Sequence, residues 1–290
     1  MFKFRINQKV FTINNIKVGG QPGEEPTLLI GSIFYHGQKI IEDEKKGVFN
    51  KADAEKLILL QSELSDKTGN PAMLDVVSTT AEAMIKYIDF VTNITDSPFL
   101  IDSPSVDTRI AGLEYVKEVG LNEKTVLNSL NLETNVKEFE AIRDSEVNSA
   151  ILLTYERGLL TSDARVDILG KLLPKADEAG ITKPFIDTFV IDVPSLSTAC
   201  KATFDIKSTL GLPCGYGTHN AIQTWKGLKN LLGSHAIRPA EIAANIMPVA
   251  LGSDFILYGP VDSCEYTFPA VHTIDTSYKY LSRMKEQLEL

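Results

Sequence analysis

Five short polar side chains stand where apolar runs of the sequence give out. They are Asp75 in AMLDVVS (72–78), Asp102 in FLIDS (99–103), Asn128 in TVLNSLN (125–131), Asp187 in PFIDTFV (184–190) and Asn220 in GYGTHN (215–220). Asp102 is the plainest case: "LIDSPSVDTR" (100–109) runs from apolar residues straight into a carboxylate, then into a serine and a proline that break the strand. An ionised carboxylate is costly to take out of water unless something pairs with it. Such a residue is either a cap for the following helix or a hook for a ligand. Asp102, Asn128 and Asp187 each follow apolar residues and precede their helices by several positions, too early for capping. Convergence on one cup is the better reading, with Asn131 just beyond Asn128 and Gly217 in the Gly-rich stretch before Asn220.

A cup of carboxylates and amides narrows the ligand. The basic residues nearest these strand ends in sequence are Arg109, Arg157 and Lys183, none in a Gly-rich phosphate pattern, so a phosphate would find little countercharge. Backbone N–H groups of 215–217 remain an alternative cradle for an anion. A carboxylate only accepts hydrogen bonds, and its two oxygens match a planar pair of N–H donors such as an amino-pyrimidinone offers. The head group of a pterin has that edge.

Positioning such a cup requires a scaffold that brings many strand ends together. Predicted strands at 27–34, 72–78, 99–103, 125–131, 150–156, 184–190, 212–217 and 254–260 alternate with predicted helices near 51–66, 80–93, 105–119, 134–143, 163–179, 195–208, 220–231 and 262–287. An extra helix near 239–248 precedes the last strand. About eight strand–helix units of this kind imply right-handed crossovers, a parallel sheet and a (β/α)8 barrel, an α/β fold. Its chemistry collects at the C-terminal ends of the strands. A hairpin-like opening segment closed by Gly19-Gly20 reads as a short N-terminal β extension, a flap over the bottom of the barrel. Asp254 opens the eighth strand rather than closing it and is assigned to that bottom end. No Pro-, Gly- or Ser-rich linker divides the chain, so residues 1–290 read as a single domain.

Composition excludes other classes. The 290 residues are 43% hydrophobic and 23% charged, a globular balance, and the net charge of -9 leaves no basic stripe for nucleic acid. The opening MFKFRINQKVFTINN has no continuous apolar core of a secretory signal, and no apolar run is long enough for a membrane span. Cys200, Cys214 and Cys264 are odd in number and far apart, with no CxxC pair for a disulfide framework or a structural zinc. The expectation is a cytoplasmic protein that binds no metal of its own.

The stretches VGGQPGE (18–24), LIGSIFY (29–35), FLIDS (99–103), LNSLN (127–131), THNA (218–221) and GSDFILYGP (252–260) resemble the family of the H subunit of tetrahydromethanopterin S-methyltransferase. The likeness is closer still to bacterial relatives that pass methyl groups between tetrahydrofolate and a corrinoid, including those of glycine betaine demethylation. The resemblance implies a pterin-binding barrel, a homodimer, and methyl transfer between N5 of tetrahydrofolate and a corrinoid such as methylcobalamin, in one-carbon metabolism. It implies Asp102, Asn128 and Asp187 as ligands of the pterin edge, Gly217 lining the ring, and Asn220 at the methyl-bearing N5. Asp75 joins the binding set, and Asp102 with Asn220 forms the catalytic pair. A tertiary amine is a poor leaving group, so N5 needs hydrogen-bond or proton donation as the methyl departs.

No histidine has an aspartate two residues before it, as a DxHxxG-type corrinoid motif would require, so the cobalamin comes on another protein or free. Four other readings can be weighed against the residues. A tetrahydromethanopterin-specific subunit would share every motif. A dihydropteroate-synthase-like condensation would need Lys or Arg at the ends of strands seven and eight, where the chain has GYGTHN and YGP. A Schiff-base aldolase needs a lysine inside strand six, which PFIDTFV lacks. A purely pterin-binding subunit would look the same at the site.

Overall fold

The computed structural model describes residues 2–290; Met1, where the opening segment begins, lies outside them. Eight parallel strands close on themselves: β1 (Leu28–Ile33), β2 (Ala72–Val77), β3 (Phe99–Asp102), β4 (Thr125–Leu130), β5 (Ser149–Leu153), β6 (Lys183–Asp187), β7 (Cys214–Gly217) and β8 (Phe255–Pro260). Each pairs with the next, and β8 returns to β1. The fold is thus the α/β barrel that the strand–helix rhythm predicts.

Strand side chains alternate between two faces, so residues two apart share one. Outward residues such as Leu74, Ile101, Leu127 and Leu152 are buried against the helices. Inward residues, among them Ile30, Met73, Leu100, Val126, Ile151 and Phe185, form a separate apolar cluster inside the barrel. Ile13, Ile16 and Val18 join that inner cluster from the N-terminal hairpin, whose strands Val10–Ile13 and Ile16–Gly19 pair antiparallel. The hairpin therefore plugs one end of the barrel and leaves the other open.

The surrounding helices are α1 (Lys51–Thr68), α2 (Ala81–Ile94), α3 (Val106–Glu118), α4 (Val136–Ser145), α5 (Ser162–Glu178), α6 (Val193–Thr209), α7 (His219–Gln223), α8 (Leu228–Leu232), α9 (Ile237–Ala250) and α10 (Cys264–Met284). Caps for α3, α4 and α6 come from Ser105, Asn135 and Asp192. The strand-end residues Asp102, Asn128 and Asp187 are free of that duty.

Asp254 stands just before β8, and its carboxylate meets Lys207 Nζ at 2.5 and 2.6 Å with both side chains buried. Cys214 N–H donates to the same carboxylate at 2.9 Å, and Lys207 also reaches Gly20 O at 3.2 Å. This pair ties α6, β7 and β8 to the N-terminal extension at the plugged end, where the sequence placed Asp254.

Three expectations are corrected. The single helix at 220–231 is two short ones, because Thr224 turns its hydroxyl onto Asn220 O and Ile191 O at 2.9 Å and Gly227 follows as a poor helix former. The closing helix stops at Met284 instead of 287, ended by Lys285 in the left-handed conformation. The N-terminal extension is more than a hairpin: Phe2–Lys3 also pairs in parallel with Leu288–Glu289, and a small antiparallel pair, Ile41–Asp43 with Val48–Phe49, follows β1.

Candidate functional site

One step above the inner apolar cluster, the same inward alternation places Ser32 two after Ile30, Asp75 two after Met73, and Asp102 two after Leu100. Asn128 follows Val126, and Asp187 follows Phe185, by the same spacing. The top inward layer is polar where the layers beneath are apolar. These residues, with Gly217 and Asn220, line one cavity of about 340 Å³ at the open end. All six residues singled out in the sequence, Asp75, Asp102, Asn128, Asp187, Gly217 and Asn220, are therefore brought together. Asn131 is not among the lining residues; its side chain accepts from Glu133 N–H at 2.8 Å and shapes the turn after β4.

Hydrogen bonds fix the layer's orientation. Asp75 accepts from Asn128 Nδ2 at 3.1 Å and from Ser32 Oγ at 2.9 Å. One N–H of Asn128 Nδ2 is engaged by Asp75, and the residue lines the cavity beside it. Asp187 accepts from Phe189 N–H at 2.7 Å, holding Phe189 at a left-handed φ of 57° that a bulky residue adopts only under constraint. The Phe189 ring then lies 4.2 Å from that of Tyr155.

Burial governs the charges. It pushes Asp75 up to about 6 against the hydrogen bonds from Asn128 and Ser32, which pull it down. Burial, and then the charge of Asp75, hold Asp102 well above the usual carboxylate range, with Arg109 opposing. Asp187 is pushed up to about 7 by burial, opposed by the Phe189 N–H and by Arg165. Two carboxylates on adjacent strands cannot both ionise freely, so the cup holds its protons tightly. A ligand bearing N–H donors relieves that strain, since hydrogen bonds to the ionised form favour it.

The cations differ from expectation. Lys183 begins β6, at the end opposite Asp187, and Arg157 is exposed on a loop. Arg109 does lie behind the cup, but its guanidinium is paired with Glu138 and donates to Ser103 O. Near Asp187 the cation is Arg165, fully buried in the first turn of α5, with Nη2 on Phe189 O at 3.0 Å. It stands on a helix, outside the strand-end pattern, and left no signal in the sequence. Ser32, Tyr35, Phe189, His219 and Gln223 also line the cavity and went unrecognised. The inward alternation of β1 would have found Ser32.

No lysine or arginine is among the described residues lining the cavity, so the site accepts hydrogen bonds and offers little to an anion. The three cysteines are buried and unpaired, and burial pushes the thiols of Cys200, Cys214 and Cys264 up. Among the described residues no cluster of His, Cys, Asp or Glu is arranged to hold a metal ion, and no helix is long and apolar enough to cross a membrane.

Known proteins share this architecture and sequence. Among solved structures, dihydropteroate synthase from Yersinia pestis with a pterin-sulfa conjugate superposes with a TM-score of 0.65 at 10% identity, covering 94% of this chain and 100% of that one. The enzyme from Xanthomonas albilineans gives 0.64 at 13% identity, covering 95% and 98%. At such identities the likeness shows the barrel fold alone. Sequence relatives are nearer. The H subunit of tetrahydromethanopterin S-methyltransferase from Methanothermobacter thermautotrophicus is 40% identical over 286 residues, covering 95% of this chain and 92% of the relative. The H subunit of the putative methyltransferase mtx from Methanosarcina mazei is 39% identical over 280 residues, covering 93% and 90%. Residues 6–290 match the family model described as tetrahydromethanopterin S-methyltransferase MtrH subunit. The chain belongs to the MtrH family and is a methyltransferase of that type.

Proposed function

We propose that this chain binds a tetrahydropterin in the polar cup and transfers a methyl group between its N5 and a corrinoid supplied by another protein. The observation that carries the reading is the inward layer of acceptors: Asp102, Asn128 and Asp187 on alternate positions of β3, β4 and β6, all facing one cavity. A ring of acceptors suits the N–H donors along a pterin's pyrimidine edge. The side-chain amide of Asn220 makes no hydrogen bond to the described residues and is free to meet N5. Being neutral, it orients and donates without titrating.

Tetrahydromethanopterin is the better supported pterin, because the relatives' names carry it. Tetrahydrofolate, with methylcobalamin as partner substrate, is the second reading and rests on the likeness to the bacterial branch. The experiment is side-by-side turnover of methylcobalamin with the two tetrahydropterins, followed by the cobalamin absorbance change. Faster transfer to tetrahydromethanopterin is expected. Binding of neither pterin would remove the reading.

A further inference from the structure

His219 stands beside Asn220 and lines the same cavity. Its Nδ1 lies 3.1 Å from Leu257 O, a carbonyl that can only accept, so Nδ1 carries the ring proton. Burial lowers the imidazole's affinity for a second proton. The ring is therefore a neutral base whose lone pair sits on Nε2, and Nε2 has no partner among the described residues.

Two glycines seat this ring at the cavity wall. A Cβ on Gly259 would fall 2.7 Å from His219 Cβ and 2.8 Å from Cγ, so only glycine lets the imidazole lie there. A Cβ on Gly217 would fall 3.5 Å from His219 Cε1 and 3.1 Å from Asn220 Nδ2, so both side chains lean on the same bare backbone. The other titratable groups on the wall are Tyr35, Asp75, Asp102 and Asp187. Asp75 and Asp102 belong to β2 and β3, and Asp187 to β6, whereas His219 follows β7 and leans on Gly259 of β8.

The geometry points to His219 as a further catalytic residue: its Nε2 takes the proton from N5 of the reduced pterin ring, the atom that Asn220 orients. This rests on the reading under "Proposed function". In methyl delivery to the pterin, the N5 lone pair forms the bond to the methyl carbon. The electron pair of the carbon–cobalt bond stays with the corrinoid. The proton that N5 carried as a secondary amine passes to His219 Nε2 and then to water. In the opposite direction Nε2 returns it. Before the methyl arrives the Asn220 amide donates to the N5 lone pair and sets the ring in line; during transfer His219 manages the charge.

His219→Asn tests the assignment, because its amide nitrogen falls where Nδ1 stood and can still donate to Leu257 O but offers no titratable nitrogen. Single-turnover methyl transfer is expected to fall about 100-fold or more, with pterin affinity within about threefold of the parent. Added imidazole should restore transfer in His219→Ala. Transfer by His219→Asn at the parent rate, a loss confined to affinity, or no rescue of His219→Ala would each overturn the assignment. Nitrogen-15 NMR of the imidazole in the intact chain, with a tetrahydropterin and no corrinoid, gives a readout independent of turnover. The Nε2 resonance should move upfield as it accepts an N–H, and an unmoved resonance would overturn the role. If the parent transfers methyl to neither pterin, the proposed reaction fails while the NMR result still decides what Nε2 does.

Discussion

Asn128 donates its side-chain amide to Asp75 at 3.1 Å across the intervening strand β3, so the second and fourth strands are joined above the one that carries Asp102. The bond ties Asn128 to Asp75 through one of its two amide protons. Removing Asp75 would release that amide and leave Ser32 Oγ without its acceptor. Asp75→Ala should therefore weaken pterin binding by about 1.5–3 kcal/mol, the usual worth of a hydrogen bond to a charged group. In a double-mutant cycle with Asn128→Ala the two losses should fall short of additive by about 0.5–3 kcal/mol. Strict additivity in calorimetric titrations would mean that the two side chains act separately.

Asp187 makes the folded chain sensitive to pH. Its carboxyl is pushed up to about 7 by burial, from 3.8 in the unfolded chain, so between those values the folded state holds the extra proton. Stability from this group is then full below about pH 4 and declines as pH rises to about 7. Asp187→Asn keeps an oxygen for Phe189 N–H and removes the titration. The variant should melt a few degrees above the parent at pH 8, at about 1.4 kcal/mol per pKa unit, with the gap closing toward pH 4. Equal melting temperatures across the range would show that Asp187 ionises at no cost in the pterin-free chain.

The same residue should matter oppositely for binding. Asp187→Ala is expected to lose about 1.5–3 kcal/mol of pterin affinity, whereas Asn220→Ala should chiefly slow methyl transfer. N5 changes basicity as the methyl moves, while the pyrimidine edge is held equally in ground and transition states. Equilibrium binding and single-turnover rates separate the two. A variant at Asn220 that binds weakly but transfers at the parent rate when saturated would reduce that amide to a positioning contact.

At the plugged end, Lys207→Met would strand the Asp254 carboxylate in a buried site. Breaking such a pair from one side costs about 3–5 kcal/mol, which urea unfolding would read directly. Pterin affinity should stay within about twofold, because the pair lies at the far end of the barrel from the cup. A loss of affinity matching the loss of stability would mean that the hairpin end and the cup are coupled.

Much of this was legible in the sequence because two periods coincide there. The apolar runs that build β3 or β6 end on a residue two positions after an inward-facing apolar one, so Asp102 and Asp187 announce both strand and cup. What escaped lacks such local periodicity. The pairing of Phe2–Lys3 with Leu288–Glu289 joins opposite ends of the chain through strands of two residues each. Arg165 reaches the site from a helix, where its neighbours Ala164 and Val166 give no hint of a buried cation. His219 reads as one more loop residue until Gly217 and Gly259 are seen to make room for its ring.

The central claim is that the cup formed by Asp102, Asn128 and Asp187 receives the pyrimidine edge of a tetrahydropterin with N5 turned toward Asn220. A crystal structure of the chain with tetrahydromethanopterin bound tests it most directly. The predicted result is the pterin head group inside the barrel mouth, its amino-pyrimidinone edge hydrogen-bonded to those three residues and N5 within hydrogen-bond reach of the Asn220 amide. A head group lodged outside the cup, or reversed so that N5 faces Asp75, would contradict it.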